Sequence, residues 1–203
     1  MLSLVTGEIG CGKTTVCQRA LDLLRARGVM PGGVLSPARL DAAGTKIGID
    51  ALDVMTGERR RLADRVPGGG ETIGDYGFDE RALAWANARL QAAVAAGPDL
   101  LVVDEIGPLE LVHGGGFAAL LEPLADLDAV PHALVIVRRE YVDALERLLG
   151  RTDARRFWVD EARRDDLPVQ IATRYAQKAD RRQHPRRQGA LWTSNARDHR
   201  PAD

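Results

Sequence analysis

Cysteine is scarce in this chain: among its 203 residues, Cys11 and Cys17 are the only two. They are too few for a disulfide framework and lack metal-site spacing, which excludes small stapled folds and cysteine-based zinc modules. Cys17 is expected to pack against a sheet as a small apolar residue. Cys11 stands where a helix N-terminus could lower a thiol pKa, but the role expected of it is its backbone N–H. A charge excess of either sign is also missing. Lys and Arg number 28 against 29 Asp and Glu, a formal net charge of −1. That leaves no electrostatic case for nucleic acid or an anionic membrane as partner. No apolar run approaches the ~20 residues of a membrane span. Met1 is followed almost at once by a predicted strand, leaving no room for a signal peptide, so a cytoplasmic protein is expected. The four histidines (His113, His132, His184 and His199) form no i, i+3 or i, i+4 pair, so surface or structural places are expected for them.

What the sequence does contain begins at its seventh residue. Gly7-Glu8-Ile9-Gly10-Cys11-Gly12-Lys13-Thr14 is a complete G-x-x-x-x-G-K-[ST] phosphate-binding loop. Glycines let the backbone turn so that successive N–H groups cradle phosphate oxygens. Lys13 brings a positive charge to the β- and γ-phosphates, and the Thr14 hydroxyl is a ligand for Mg²⁺. The context fits. Leu2-Ser3-Leu4-Val5-Thr6 reads as a short buried strand, and Thr14 to Arg27 as a helix with an apolar stripe of Val16, Ala20, Leu21, Leu23 and Leu24.

Further along, Gly28 and Pro31-Gly32-Gly33 end that helix, and a second strand is predicted near Val34 to Ser36. Thr45 to Val54 and Glu58 to Ala63 read as a hairpin across Met55-Thr56-Gly57. Pro67-Gly68-Gly69-Gly70 reads as a mobile loop. Asp79 to Ala96 is a predicted helix with Asp79 as N-cap and Gly97-Pro98 as its stop. Leu100 to Val103 and Ala133 to Val137 read as buried strands, and Ile106-Gly107-Pro108 as a turn. Helices are predicted over 116–127, 140–149 and 166–175, and a weaker strand over 156–159. Short apolar strands alternating with helices indicate an α/β fold, a mostly parallel sheet covered on both faces. From about Lys178 apolar periodicity stops. Seven Lys/Arg against three Asp give this stretch a charge of about +4 (7 − 3). The reading is therefore one domain over residues 1–175 and a basic, disordered tail over 176–203.

A phosphate loop binds; hydrolysis needs more. Leu101-Val102-Val103-Asp104-Glu105 supplies an apolar strand delivering two carboxylates at its C-terminal end, the Walker B pattern. Ligands of open α/β sheets lie at that edge. Asp104 is the candidate to hold Mg²⁺ and Glu105 the candidate to orient and deprotonate water, since adjacent strand side chains point different ways. Phosphoryl transfer also calls for an arginine or lysine on the developing charge. Candidates are Arg39, Lys46, Arg59, Arg138 and Arg139, with the last two first because they leave a strand at the nucleotide edge.

Val103-Asp104-Glu105-Ile106-Gly107-Pro108-Leu109-Glu110-Leu111 resembles the "DEIG-x-(M/L)-EL" signature of the small nucleoside-triphosphatases, which include thermophile-type enzymes and the human cancer-related NTPase. Gly32-Gly33-Val34 through Arg39, then Gly48-Ile49-Asp50, resembles that family's "GF…E-x-R…R-x-GF" region. Thr56-Gly57-Glu58 through Leu62-Ala63 resembles its "tG…LA", and Gly74-Asp75-Tyr76 its "G-x-Y". The resemblance covers about residues 1–175. It implies a RecA/AAA-like P-loop fold and slow, Mg²⁺-dependent hydrolysis of the β–γ bond of ATP, GTP and other nucleoside triphosphates. It places the nucleotide on Gly7 through Thr14 with the adjoining Thr15, and on Leu101, Val102, Val103, Asp104, Glu105, Ile106, Gly107 and Pro108. Ile49, Ala38 and Lys46 depart from the family's usual Phe, Glu and Arg, so no role is carried over to Arg39 or Lys46.

Lys13 and Glu105 are thus the expected catalytic pair, and Thr14 and Asp104 the expected metal ligands. Neither an Asn-Lys-x-Asp guanine-reading motif nor an ABC-type Leu-Ser-Gly-Gly motif occurs. Two other functions share these motifs: a P-loop kinase acting on a small acceptor, and a nucleotide-gated accessory protein. Oligomeric state has no signature in the sequence.

Overall fold

A computed structural model of the chain describes residues 1–66 and 76–183. In chain order its elements are β1 (Leu2–Gly7), α1 (Lys13–Arg25), β2 (Pro31–Leu35), β3 (Ala38–Leu40), β4 (Lys46–Asp53), β5 (Arg59–Arg65), β6 (Tyr76–Phe78), α2 (Glu80–Ala96), β7 (Leu100–Ile106), α3 (Pro108–Leu111), α4 (Leu121–Ala125), β8 (Ala133–Val137), α5 (Val142–Leu149), β9 (Arg155–Val159) and α6 (Leu167–Gln183). Short 3₁₀ turns precede α4 and α5 at Ala118–Leu120 and Arg139–Tyr141.

The nine described strands form one sheet in the order β6-β5-β4-β2-β7-β8-β1-β9, with β3 on β4. From β2 to β9 all neighbours are parallel. Beyond β2 the sheet turns antiparallel through β4, β5 and β6, a wing that hangs on the parallel core. β8 lies between β1, which carries the phosphate loop, and β7, which carries Asp104 and Glu105.

Alternation of side chains feeds two cores, one on each face. Leu101, Val103, Ala133, Val135 and Val137 pack with α2, α4 and α5, whereas Leu100, Val102, Leu134 and Ile136 pack with α1 and α6. β7 and β8 are buried on both faces, which is why they read as unbroken apolar runs. α1 buries Val16, Cys17, Ala20, Leu21 and Leu24, while Leu23 is only partly covered. Asp79 caps α2 by accepting the Ala82 N–H at 2.8 Å, and Gly97 ends it in the left-handed conformation. The three-layer α/β architecture expected from the alternation of elements is the one observed. No helix among the described residues is long and apolar enough to cross a membrane.

Several expectations need correction. Pro31, Gly32 and Gly33 lie inside β2 and do not merely precede it. Gly33, at φ 115°, runs so close to β7 that a Cβ would collide with the Val102 carbonyl. The helix expected over 116–127 is a 3₁₀ turn followed by the five-residue α4, with Gly114-Gly115-Gly116 before it and Pro123 within it. Ile106-Gly107-Pro108, expected as a turn, is divided: Ile106 ends β7, Pro108 opens the helical turn α3, and Gly107 stands between them. β3 and β6, three residues each, were too short to give a periodic signal. The helix expected over 166–175 runs on as α6 to Gln183. Ala, Lys, Arg and Gln there are strong helix formers even without an apolar repeat. The glycine loop over 67–70, Gly74 and Asp75 of the family resemblance, and residues 184–203 of the expected tail lie outside the described residues.

Candidate active site

The phosphate loop leaves β1 at Gly7 and enters α1 at Lys13, with Gly12 as N-cap. Gly10 and Gly12 have φ of 80° and 99°, a region that side chains disfavour, so the two glycines let the loop wind inward. The Cys11 N–H donates to the Glu8 carbonyl at 3.3 Å and closes the turn. Lys13 is buried, and its Nζ donates to the carbonyls of Gly7 (3.1 Å) and Glu8 (3.0 Å). The ammonium is therefore folded back over the loop, at the positive end of the α1 dipole. Ile9 at the tip is exposed, as is Thr15, while Thr14 is half-buried. Cys11 is half-buried. Burial, and secondarily Asp104, pushes the Cys17 thiol up, so it stays a neutral core residue.

β7 meets the loop from the far side of β8. Its register with β8 slips between Asp104, opposite Ile136, and Ile106, opposite Val137. Glu105 is the residue at the slip, and the two carboxylates leave the strand into different surroundings. Asp104 is buried. Its Oδ2 accepts the Ser36 N–H at 3.0 Å, and it also accepts a hydrogen bond from the Thr14 side chain. Burial raises its carboxyl to about 6; the Ser36 bond lowers it, the Glu105 charge raises it, and Thr14 and Lys13 lower it. Thr14 and Asp104, ninety residues apart in sequence (104 − 14), thus act on one another. Two hard oxygen donors side by side suit a divalent cation of the Mg²⁺ kind, which takes one or two protein oxygens and keeps phosphates and waters for the rest.

Glu105 is about one-third exposed, and its Oε1 accepts from Arg138 Nε at 2.7 Å. Arg138 follows β8 directly, and its neighbour Arg139 donates to Glu8 Oε1 in the phosphate loop at 2.5 Å and lies over the Trp158 ring. Both arginines therefore reach the edge where β1, β7 and β8 end, each on a different carboxylate. Arg39 and Lys46 are engaged elsewhere. Arg39 pairs with Asp50 (3.6 Å) and with Asp64, and Lys46 lies over Tyr76, all within the antiparallel wing. Arg59 is exposed at the start of β5.

Two residues of this neighbourhood escaped the sequence reading. Ser36 holds Asp104 through its N–H and donates its hydroxyl to the Asp104 carbonyl. The only signal was its place just past β2, on the same sheet edge. Glu110 is buried and accepts the N–H groups of Gly107 (2.8 Å) and Phe117 (3.1 Å), fastening the turn after β7. Burial raises its carboxyl, against the pull of those backbone bonds. Here the sequence held a sign, a glutamate three residues after a helix-capping position. Leu101, Val102, Val103 and Ile106 serve as buried strand, and Gly107 with Pro108 as the turn that Glu110 fixes.

Comparison with known proteins agrees with this geometry. A family model described as NTPase matches residues 3–172. Nucleoside-triphosphatase THEP1 of Thermofilum pendens is 33% identical over 175 residues, covering 85% of this chain and 94% of that one. The protein of the same name from Methanopyrus kandleri is 32% identical over 168 residues, 83% and 91% of the two chains. Among solved structures, a human cancer-related nucleoside triphosphatase superposes with a TM-score of 0.63 at 26% identity, over 85% of this chain and 95% of that one. THEP1 from Aquifex aeolicus superposes with a TM-score of 0.66 over 86% and 99%, and its 18% identity speaks for the fold alone. A phosphate loop and a carboxylate pair on the strand next but one, matched over nearly the whole length of such relatives, make this chain a member of the NTPase family.

Proposed function

We propose that the protein hydrolyses nucleoside triphosphates to the diphosphate and phosphate, with Mg²⁺, slowly and with broad tolerance of the base. The observation that carries this reading is the division of labour at the end of β7: Asp104 is buried and bonded to Ser36, while Glu105 is about one-third exposed and paired with Arg138. Backbone N–H groups of the loop from Glu8 to Thr15 would hold the β- and γ-phosphates, with Lys13 exchanging its carbonyl partners for phosphate oxygens. Thr14 and Asp104 would hold the metal, which when bound draws charge from the phosphate oxygens. Glu105 would orient a water in line with the β–γ bond and take its proton as the water oxygen attacks the γ-phosphorus. The bond to the bridging oxygen breaks, and the diphosphate departs. Nothing in this set of groups reads a base, which supports tolerance among ATP, GTP, CTP and UTP.

The test is phosphate release by the purified protein with Mg²⁺ and each of the four triphosphates, compared with Glu105→Gln. Release without an added acceptor is expected, with a loss of at least ~10²-fold in the variant and retained nucleotide binding. Wild-type turnover by Glu105→Gln would remove the base assignment. Release that appears only when a phosphate acceptor is supplied would point to a kinase instead.

A further inference from the structure

Asp104, Glu105 and Glu110 place three carboxyl groups around one turn, and the charge of Glu105 is felt at both of the others. Left to itself, Glu105 would be driven away from them toward solvent. It sits where the β7–β8 ladder slips. The cation that answers this charge is Arg138. Its own backbone is fixed on both sides: its N–H donates to the Ile106 carbonyl (3.3 Å), and its carbonyl accepts the Tyr141 N–H (2.9 Å). Its side chain runs along the face of Gly107, with Nε, Cδ and Cγ 3.5–3.7 Å from where a Cβ there would lie. It reaches Glu105 through Nε alone, at 2.7 Å. The result is a guanidinium held in place by the end of β8 and aimed at the candidate base on β7.

We propose that Arg138 is a positioning residue for Glu105: the Nε–Oε1 ion pair keeps the carboxylate at the nucleotide edge, turned away from Asp104. The inference rests on Glu105 being the general base, and it assigns Arg138 a role exerted through that carboxylate and not through a separate contact with phosphate. A misplaced base lowers the rate of the chemical step while leaving nucleotide binding in place.

The experiment is a double-mutant cycle on the full-length protein, with Mg²⁺ and ATP in single-turnover and steady-state assays. Arg138→Met keeps the stem and removes the fork. It is expected to lower kcat about 10- to 100-fold with KM within about 3-fold of wild type. Arg138→Lys, which restores a cation without the Nε geometry, should recover only part of that loss. In the Glu105→Gln background, Arg138→Met should cost less than about 3-fold more, because the group it positions is already gone. The same 10- to 100-fold loss in both backgrounds would show an independent phosphate contact and overturn the proposal, as would an unchanged kcat in the single variant. ADP affinity and urea midpoint of each variant, expected at wild-type values, separate these outcomes from a folding defect. Glu105→Gln alone, at full rate, would defeat the base assignment without reference to Arg138.

Discussion

Lys13 is the residue on which binding is expected to turn. Its ammonium already bends back to two carbonyls of the loop it serves, 3.1 and 3.0 Å away, so little reorganisation separates that pose from one on phosphate oxygens. Truncating it removes the only cation buried in the loop. Lys13→Ala is expected to lose triphosphate affinity and turnover together, read by calorimetry and phosphate release; tight binding of ATP by that variant would contradict the contact. At this scale the sequence was most readable where chemistry demands one residue type at one spacing, as in Gly7 to Thr14 and Asp104-Glu105. It was silent on Ser36, because a backbone N–H that orients a carboxylate leaves no preference for any side chain. It was silent too on the partners of Arg138 and Arg139, which depend on the distance between strands remote in sequence.

Among the elements, α6 shows how a terminal helix is pinned. The Tyr175 hydroxyl, buried, donates to the Ala133 carbonyl (2.6 Å) and is hydrogen-bonded to Ser3 Oγ (2.7 Å), joining the helix to β1 and β8. Burial pushes its ionisation upward, against the smaller pull of the Ser3 bond. An unfolded tyrosine ionises near pH ~10. Its folded value lies higher, so the stabilisation is fully present below that pH and is lost as pH rises through and above it. Tyr175→Phe should therefore lower stability by about 1 kcal/mol at neutral pH and flatten the alkaline fall in the urea midpoint. An equally steep alkaline fall in the variant would mean that other groups cause it. The sequence marked α6 by its apolar repeat and lost it where the repeat ends, eight residues before the helix does (183 − 175). It failed on β2 for the opposite reason. Proline and two glycines read as loop, yet the close approach of β2 to β7 makes glycine the residue that fits at position 33.

At the scale of the whole molecule, two apolar cores share one sheet, and the candidate site sits on the edge where β1, β7 and β8 end. The family match closes at residue 172 and α6 at Gln183, so every group named in the site lies within residues 1–183. A chain lacking residues 184–203 is expected to release phosphate at the wild-type rate. A drop of ten-fold or more in that truncated protein would bring the basic terminus into the catalytic unit. The general architecture was legible because buried parallel strands announce themselves as short apolar runs. The antiparallel wing was legible only as a single hairpin, since its outer strands are three residues long.

The strand between the two halves of the site has a consequence for what the enzyme selects. With β8 interposed, β1 and β7 stand two strand spacings apart, about 10 Å from axis to axis. One bank of that gap holds the N–H cradle and Lys13, the other the carboxylates, and the interposed strand ends in the arginines that lean toward each. β8 works as a ruler. A chain of linked phosphates held as proposed would have to be long enough to rest on the near bank and still present its last link to the far one. On the proposed placement of the phosphates, a diphosphate would fill the cradle and fall short, and the sheet itself would discriminate by length; ADP offered in place of ATP is then expected to release no phosphate.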